Sequence, residues 1–73
     1  MKNSIYIATS KDNTIHILNN EGVFEECTNF EYDKYMSFKT NKEAHAYTES
    51  ITSDTDNIIY LVEGELIKNH VNN

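Results

Sequence analysis

The 73-residue chain contains no arginine, no proline and no tryptophan, and it has only one cysteine and two glycines. Arginine supplies the planar, permanently charged fork that suits phosphate, so its absence lowers the expectation of tight phosphate recognition. The single cysteine, Cys27, excludes an intrachain disulfide framework and indicates a reducing compartment. Because no continuous apolar run follows Met1, we expect neither a signal peptide nor a membrane span. The sequence therefore predicts a cytoplasmic location, in a cell or in an infected host.

Motifs for catalysis and for metal binding are missing as well. The chain has no Gly-rich phosphate loop, no nucleophile motif and no zinc-protease motif. Its three histidines and Cys27 do not form the close pairs that structural zinc sites use. Glu25 and Glu26 precede Cys27 directly, and neighbouring carboxylates would raise the pKa of a thiol. We therefore predict a protein that binds no metal or cofactor and is not an enzyme.

Acidic and aromatic residues are what the chain has in quantity. Its formal net charge is -6, and it contains five tyrosines and three phenylalanines. A chain of this length builds a single small domain, in which aromatic side chains supply much of the buried area. Domains of this size often gain stability by association, so we expect a homodimer or a tight hetero-complex. The ten asparagines are typical of AT-rich genomes, which suggests a phage or mobile-element protein.

The firmest local prediction is a strand that leads into a capped helix. Residues 35–38 alternate in the manner of a half-buried strand. Thr40 and Glu43 form a T-x-x-E capping box, in which each side chain can bond the other residue's amide. The helix that follows, from about Asn41 to Ile51, should pack through three residues at helical spacing, namely Ala44, Tyr47 and Ile51.

The rest of the chain is typical of short strands and turns. Residues 4–9 and 14–18 predict a hairpin in which Ile15 and Ile17 face the core and His16 faces outward. Gly22 suits a turn before a third short strand at Val23 and Phe24. After a polar connector at 52–57, residues 58–62 and 65–68 predict a closing hairpin with a tight turn at Gly64 and a frayed tail from Asn69. This order predicts an α+β fold: a small antiparallel sheet of about five strands with one main helix on one face.

The segment from residue 21 to residue 33, called the acidic segment below, is the functional candidate. It has no lysine, and its five acids are Glu21, Glu25, Glu26, Glu31 and Asp33. Three aromatic residues, Phe24, Phe30 and Tyr32, are interleaved with them. Aromatic anchors in a field of one sign would suit a docking surface for a basic protein, with Phe30 as a contact residue. The alternative is that the aromatic residues belong to the core and only the acids lie outside.

Part of the chain resembles the N-terminal hybrid-binding domain of ribonuclease HI, a domain that viroplasmin proteins also carry. The resemblance covers Gly22-Val23-Phe24 and then residues 35–47, with the most specific part being Phe38-x-Thr40-x-x-Glu43-Ala44-x-x-Tyr47. It implies a small module of α and β elements that binds RNA or an RNA–DNA duplex. The family has a tryptophan shortly before the glutamate that matches Glu26, and lysines at the positions of Met36 and Ser37. The nucleic-acid contacts that the resemblance implies for this chain are therefore Lys34, Tyr35, Lys39 and Lys42.

Two functional hypotheses follow. In the first, a small acidic protein docks on a basic protein, which could itself bind nucleic acid, and inhibits or modulates it. In the second, a degenerate hybrid-binding module contacts RNA or an RNA–DNA duplex, either alone or within a protein–RNA complex. The net negative charge favours the first, because phosphate binding draws most of its free energy from clustered cations.

Overall fold

A seven-residue strand, β1 (Ile5–Lys11), pairs with three other strands of the sheet. The computed structural model describes residues 4–51 and 58–71. In chain order the elements are β1 (Ile5–Lys11), β2 (Thr14–Leu18), β3 (Phe24–Glu26), a 3-10 turn (Tyr32–Lys34), β4 (Ser37–Phe38), α1 (Asn41–Ile51), β5 (Ile59–Glu63) and α2 (Gly64–Val71). The predicted α+β class is confirmed: five antiparallel strands form a curled sheet, and α1 is the main helix.

The hairpin of β1 and β2 turns on two residues with left-handed backbone conformations. Lys11 pairs with Thr14, so Asp12 and Asn13 alone make the turn, with φ of 54° and 67°. Asp and Asn tolerate this region better than other non-glycine residues, and two positive φ values match the right-handed twist of the flanking strands. The predicted hairpin is confirmed, with β1 extending two residues further than expected.

Both edges of β1 are occupied. Its residues 5–9 pair with β5, which lies on one edge. On the other edge, β2 pairs with residues 8–11 and β4 with residues 5 and 6, so those two strands share that edge. β3 pairs with β2 and lies outermost on that side. β1 is therefore an interior strand, while β3, the two-residue β4 and β5 each pair with only one other strand of the described sheet.

The two faces of the sheet carry separate cores. On the face that α1 covers, called the α1 face, the buried residues are Ile5, Ile7, Leu18 and Ala44, with Phe24, Phe38 and Tyr47 packed around them. On the opposite face, called the aromatic face, the buried residues are Tyr6, Ala8, Ile17, Cys27, Phe30, Tyr35 and Ile67. Successive residues of β1 enter opposite cores because side chains alternate along a strand. Ile15 and Ile17 face the aromatic core as expected.

One of the two hydrogen bonds of the predicted capping box is present at the start of α1. The Glu43 amide donates to Thr40 Oγ1 at 3.2 Å, and the Ala44 amide donates to the Thr40 carbonyl at 3.1 Å. Ala44 is fully buried, and Tyr47 and Ile51 pack beside it on the α1 face. The helical spacing therefore identified the packed side of α1 correctly.

The predicted closing hairpin is wrong in its second half. β5 is a strand, but residues 64–71 form α2, so the part of the predicted frayed tail from residue 69 to residue 71 is helical. Gly64, Ile67 and Val71 recur at helical spacing and lie against the aromatic core. The helical repeat of the whole segment therefore decides its structure, although the short apolar run within it would also suit a strand. The predicted connector at 52–57 lies outside the described residues. Among the described helices, none is long and apolar enough to cross a membrane.

Gly64 allows α2 to begin against two tyrosine rings. A Cβ atom at this position would lie 2.7 Å from Tyr6 Cε1 and 2.8 Å from Tyr32 Cε1. The Gly64 amide also donates to the Ser4 carbonyl at 3.1 Å, which holds the end of β5 to the start of β1. Gly64 is thus needed for close contact with aromatic rings and not for a hairpin turn.

Removing the Thr40 cap should destabilise the protein. Thr40→Ala leaves the Glu43 amide without its side-chain acceptor, so the free energy of unfolding should fall by about 1 kcal/mol in urea denaturation. Thr40→Ser keeps the acceptor and is the matched control, which we expect to retain most of that stability. Equal stability of the alanine variant and the wild type would show that the cap contributes nothing.

A methyl group at position 64 should destabilise the protein although it favours the helix. Gly→Ala inside a helix normally stabilises by up to about 1 kcal/mol. Here the added atom overlaps the buried ring of Tyr6 and the half-buried ring of Tyr32, and overpacking of this kind costs about 1–3 kcal/mol. We expect a net loss for Gly64→Ala in urea denaturation, against little change for Asn69→Ala on the exposed side of α2. A gain in stability for Gly64→Ala would contradict the close aromatic contact.

Candidate functional site

The acidic segment starts in a loop that a single asparagine organises. The side-chain oxygen Asn19 Oδ1 accepts hydrogen bonds from the backbone amides of Glu21 at 2.9 Å and Val23 at 3.0 Å. The backbone amide of Asn19 donates to the Val23 carbonyl at 2.9 Å. Gly22 has φ of 82°, as its position in the turn predicted. This loop connects β2 to β3, and Glu21 within it is exposed.

Glu25 and Glu26 point to opposite faces of the sheet. They are consecutive residues of β3, opposite Ile17 and His16 of β2 respectively. Glu25 lies on the aromatic side and is half-buried, with its Oε1 accepting from Asn19 Nδ2 at 3.2 Å. Glu26 is exposed on the other side. The five predicted acids therefore do not share one surface.

The acids at the end of the segment lie beside two lysines. Glu31 and Asp33 are exposed, and the Asp33 carbonyl accepts from Asn20 Nδ2 at 3.0 Å. A shallow groove of about 520 Å³ runs along this part of the chain and is lined by Phe30, Glu31, Tyr32, Asp33, Lys34 and Lys68. Lys34 Nζ lies 5.9 Å from the centre of the Tyr35 ring, and Lys68 Nζ lies 5.7 Å from that of Tyr32. The groove is therefore mixed in charge.

Phe30 belongs to the core of the protein. Its side chain is 3% exposed and stacks on Tyr35 with ring centroids 5.4 Å apart and planes 3° apart. It meets Tyr6 and Tyr32 edge-on at 5.1 and 5.2 Å. Of the two interpretations of the acidic segment, burial supports the one with aromatic residues inside and acids outside. Direct contact of Phe30 with a partner is at odds with this packing.

The nucleic-acid contacts implied by the resemblance are only partly on the surface. Lys34, Lys39 and Lys42 are exposed, but Tyr35 is 2% exposed in the aromatic core. A base can stack only on a ring that presents an open face, and the faces of Tyr35 are packed. The described structure therefore brings lysines to the surface without the aromatic platform that stacking requires.

Cys27 and Tyr35 form a buried pair. Burial raises the pKa of the Cys27 thiol, although the Tyr35 hydroxyl and the nearby Lys34 act in the opposite direction. Burial also raises the pKa of the Tyr35 phenol, with a further increase from its hydrogen bond to Cys27. The protonated forms of both the Cys27 thiol and the Tyr35 phenol are favoured, so the pair suits a structural role rather than a nucleophilic one.

The histidines are dispersed. His45 is exposed on α1 and its Nδ1 lies 3.3 Å from Glu49 Oε1, one helical turn away. His16 Nδ1 lies 3.5 Å from Thr14 Oγ1 on β2. Within residues 4–51 and 58–71, no three His, Cys, Asp or Glu side chains are grouped so that they could hold a metal ion.

A surface that the motifs did not indicate lies on β5 and α2. Ile58 is 69% exposed, Leu66 is 58% exposed and Tyr60 is 46% exposed. The sequence predicts a strand at 58–62 within a hairpin that could leave an exposed sheet edge, and β5 does lie at an edge. A further sequence signal is that residues 57–62 contain no charge in a strongly acidic chain.

Comparisons with protein-family models, with curated proteins and with solved structures find no match to this chain. The resemblance to the hybrid-binding domain therefore stays a prediction.

Stability should fall at alkaline pH because of the aromatic core. Burial raises the pKa values of Cys27, Tyr6 and Tyr35 in the folded state. At a pH above the ordinary pKa of each group, the unfolded chain therefore releases protons that the folded chain retains. The free energy of unfolding should therefore decline above about pH 8.5, where free thiols ionise, and more steeply above about pH 10, where free tyrosines ionise.

Urea denaturation between neutral pH and about pH 11 checks this. Tyr35→Phe removes one of the three groups and should flatten the decline above about pH 10. Tyr60→Phe changes an exposed tyrosine and should leave the decline as in the wild type. Identical pH dependence for both variants would show that ionisation of Tyr35 is not linked to folding.

Proposed function

We propose that this chain is a small acidic, non-enzymatic binding protein that docks on a basic surface of another protein and inhibits or modulates it. Its composition supports an origin in a phage or mobile element, acting in the cytoplasm of the host cell. If the target binds nucleic acid, the acidic surface competes by presenting negative charge at the same basic residues.

The observation that carries this proposal is that most of the acids are exposed and form no salt bridge. Four of the five acids in the acidic segment, Glu21, Glu26, Glu31 and Asp33, are exposed. Over the described ranges, the only acid–base contact at salt-bridge distance joins His45 to Glu49, so none of these acids is bonded to a lysine there. Exposed surface charge steers association with a partner of opposite sign. The rigid aromatic core beneath residues 30–35 holds Glu31 and Asp33 in place for that contact.

The alternating directions of Glu25 and Glu26 divide the acids into two groups. Glu31 and Asp33 flank the groove on the aromatic side, whereas Glu26 lies on the other face of the sheet. Glu31 and Asp33 are the better pair to test because both are exposed and neither side chain takes part in a hydrogen bond with another described residue. Glu25 is a poor choice, since it is half-buried and accepts from Asn19.

Charge reversal at the groove should weaken docking. Glu31→Lys combined with Asp33→Lys should reduce affinity for the basic partner by about tenfold or more, because close opposite charges at interfaces contribute about one to several kcal/mol. The matched control is Glu43→Lys with Glu49→Lys on α1, which makes the same change in net charge elsewhere. Pull-down from the native cytoplasm with mass spectrometry identifies the partner, and titration at low and raised salt then compares the variants.

Equal loss of affinity in both double variants would show that only net charge matters, and unchanged affinity in the groove variant would exclude Glu31 and Asp33 from docking. A gel shift separates the alternative function. Duplex, single-stranded and hybrid oligonucleotides should not be shifted at low salt. A salt-sensitive shift that Lys39→Ala and Lys42→Ala weaken would replace this proposal with nucleic-acid binding.

A further inference from the structure

The two outer strands of the sheet differ in how they are protected. β3 has only three residues, and two of them are Glu25 and Glu26. A short, charged strand resists pairing with another chain. β5 has five residues, and from Ile59 to Val62 it carries no charge, no proline and no bulge. The edge of β5 therefore lacks the features that normally block strand addition.

The hydrogen-bonding pattern shows which backbone groups of β5 are available. Gly64 donates its amide to the Ser4 carbonyl, and every second residue back along β5 faces β1 in the same way. The amides and carbonyls of Tyr60 and Val62 thus bond β1, and those of Ile59, Leu61 and Glu63 point away from it. Among residues 4–51 and 58–71, no strand pairs with that outer edge.

Exposed apolar side chains accompany this edge. Ile58 precedes the strand, Tyr60 lies within it and Leu66 follows in the first turn of α2. An incoming strand would pair through the backbone groups of the odd-numbered residues and pack its own side chains beside these three. A single exposed apolar residue needs no explanation, but three beside an unpaired strand edge indicate a surface that a partner covers.

The sequence that flanks β5 is rich in acidic residues. From residue 43 to residue 67 the sequence contains six acidic residues and no lysine. Two of the six, Glu63 and Glu65, are exposed at the end of β5 and the start of α2. A basic segment would find complementary charge beside the apolar contacts, whereas an acidic one would be repelled.

We infer that the outer edge of β5 accepts an extended, basic segment of another protein by strand addition. The inference takes the sign of the partner's charge from the proposed function but uses a different surface from the groove beside Glu31 and Asp33. A second copy of this chain is the competing occupant. Antiparallel pairing of two β5 strands would bring two acid-rich surfaces together, and each copy carries a net charge of -6. Like-charge repulsion therefore favours the basic segment.

A designed peptide tests the inference without knowledge of the natural partner. The probe is a peptide of about ten residues that alternates Lys and Val, so that one side is apolar and the other basic. Amide hydrogen exchange is measured by NMR with and without the peptide. Exchange should slow at Ile59, Leu61 and Glu63, whereas Tyr60 and Val62, which already bond β1, serve as internal references and should not change.

Two control peptides and one pair of variants make the test specific. A Glu–Val peptide has negative instead of positive charge, and a Lys–Val peptide with prolines in place of alternate valines cannot pair as a strand. Neither peptide should slow exchange at β5. Ile58→Lys should weaken binding of the Lys–Val peptide by about tenfold, since it removes an apolar contact and adds a like charge. Val23→Lys makes the same kind of change at a residue that is 56% exposed away from β5, and its effect should be much smaller.

Three results would overturn the inference: no slowing at the odd-numbered residues with the Lys–Val peptide, equal binding of the Glu–Val peptide, or slow exchange there without peptide that increases with protein concentration. The last would identify a second copy as the occupant. The groove variant Glu31→Lys with Asp33→Lys should keep the exchange response of β5 even if it loses docking. Failure of the inference and failure of the proposed function are therefore distinguishable.

Discussion

The burial of β1 on both faces is the constraint on which the rest of the structure depends. Residues 5–9 of this strand are all buried, and their side chains alternate between two cores. A strand buried on both sides needs a covering layer on each. α1 supplies one layer, and residues 27–35 with α2 supply the other. A chain of 73 residues thus builds two thin cores on one strand, and each fully buried large side chain contributes about 1.5–3 kcal/mol.

This arrangement explains why aromatic and acidic residues are interleaved in residues 21–33. Residues 27–33 cover the aromatic face of β1, so Phe30 and Tyr32 turn inward toward Tyr6 while Glu31 and Asp33 remain exposed; Phe24 packs on the α1 face instead. Tyr6 is the centre of that packing: Phe30 meets its ring edge-on, its hydroxyl donates to the Tyr32 carbonyl at 3.2 Å, and Gly64 lies against it. A pattern that suggests aromatic contacts for a partner is produced here by packing within the chain.

The features predicted correctly from sequence are those that depend on neighbouring residues. The turn at Asp12 and Asn13, the Thr40 cap and the packed side of α1 follow from local geometry alone. α2 was missed because Gly64 next to an apolar run also fits a hairpin turn, although Gly64, Ile67 and Val71 recur at helical spacing; the close contact of Gly64 with the Tyr6 and Tyr32 rings is non-local. In the candidate site, the exposure of four of the five acids was predictable. The opposite directions of Glu25 and Glu26 required the pairing of β3 with β2, which is a non-local fact.

The same architecture makes the two outer strands unequal. β3 lies next to the loop and carries two glutamates, so it ends the sheet on that side. On the other side, β5 must be apolar because Leu61 and Val62 contribute to the two cores from opposite faces. A strand that serves both cores cannot also carry the charges that protect an edge, since alternate residues on both faces are already committed to packing. The described acids beside β5, Glu63 and Glu65, lie at its C-terminal end and are exposed. The demand for two cores in a short chain thus leaves an uncharged edge beside acids, and that combination favours a basic, extended partner over an acidic one.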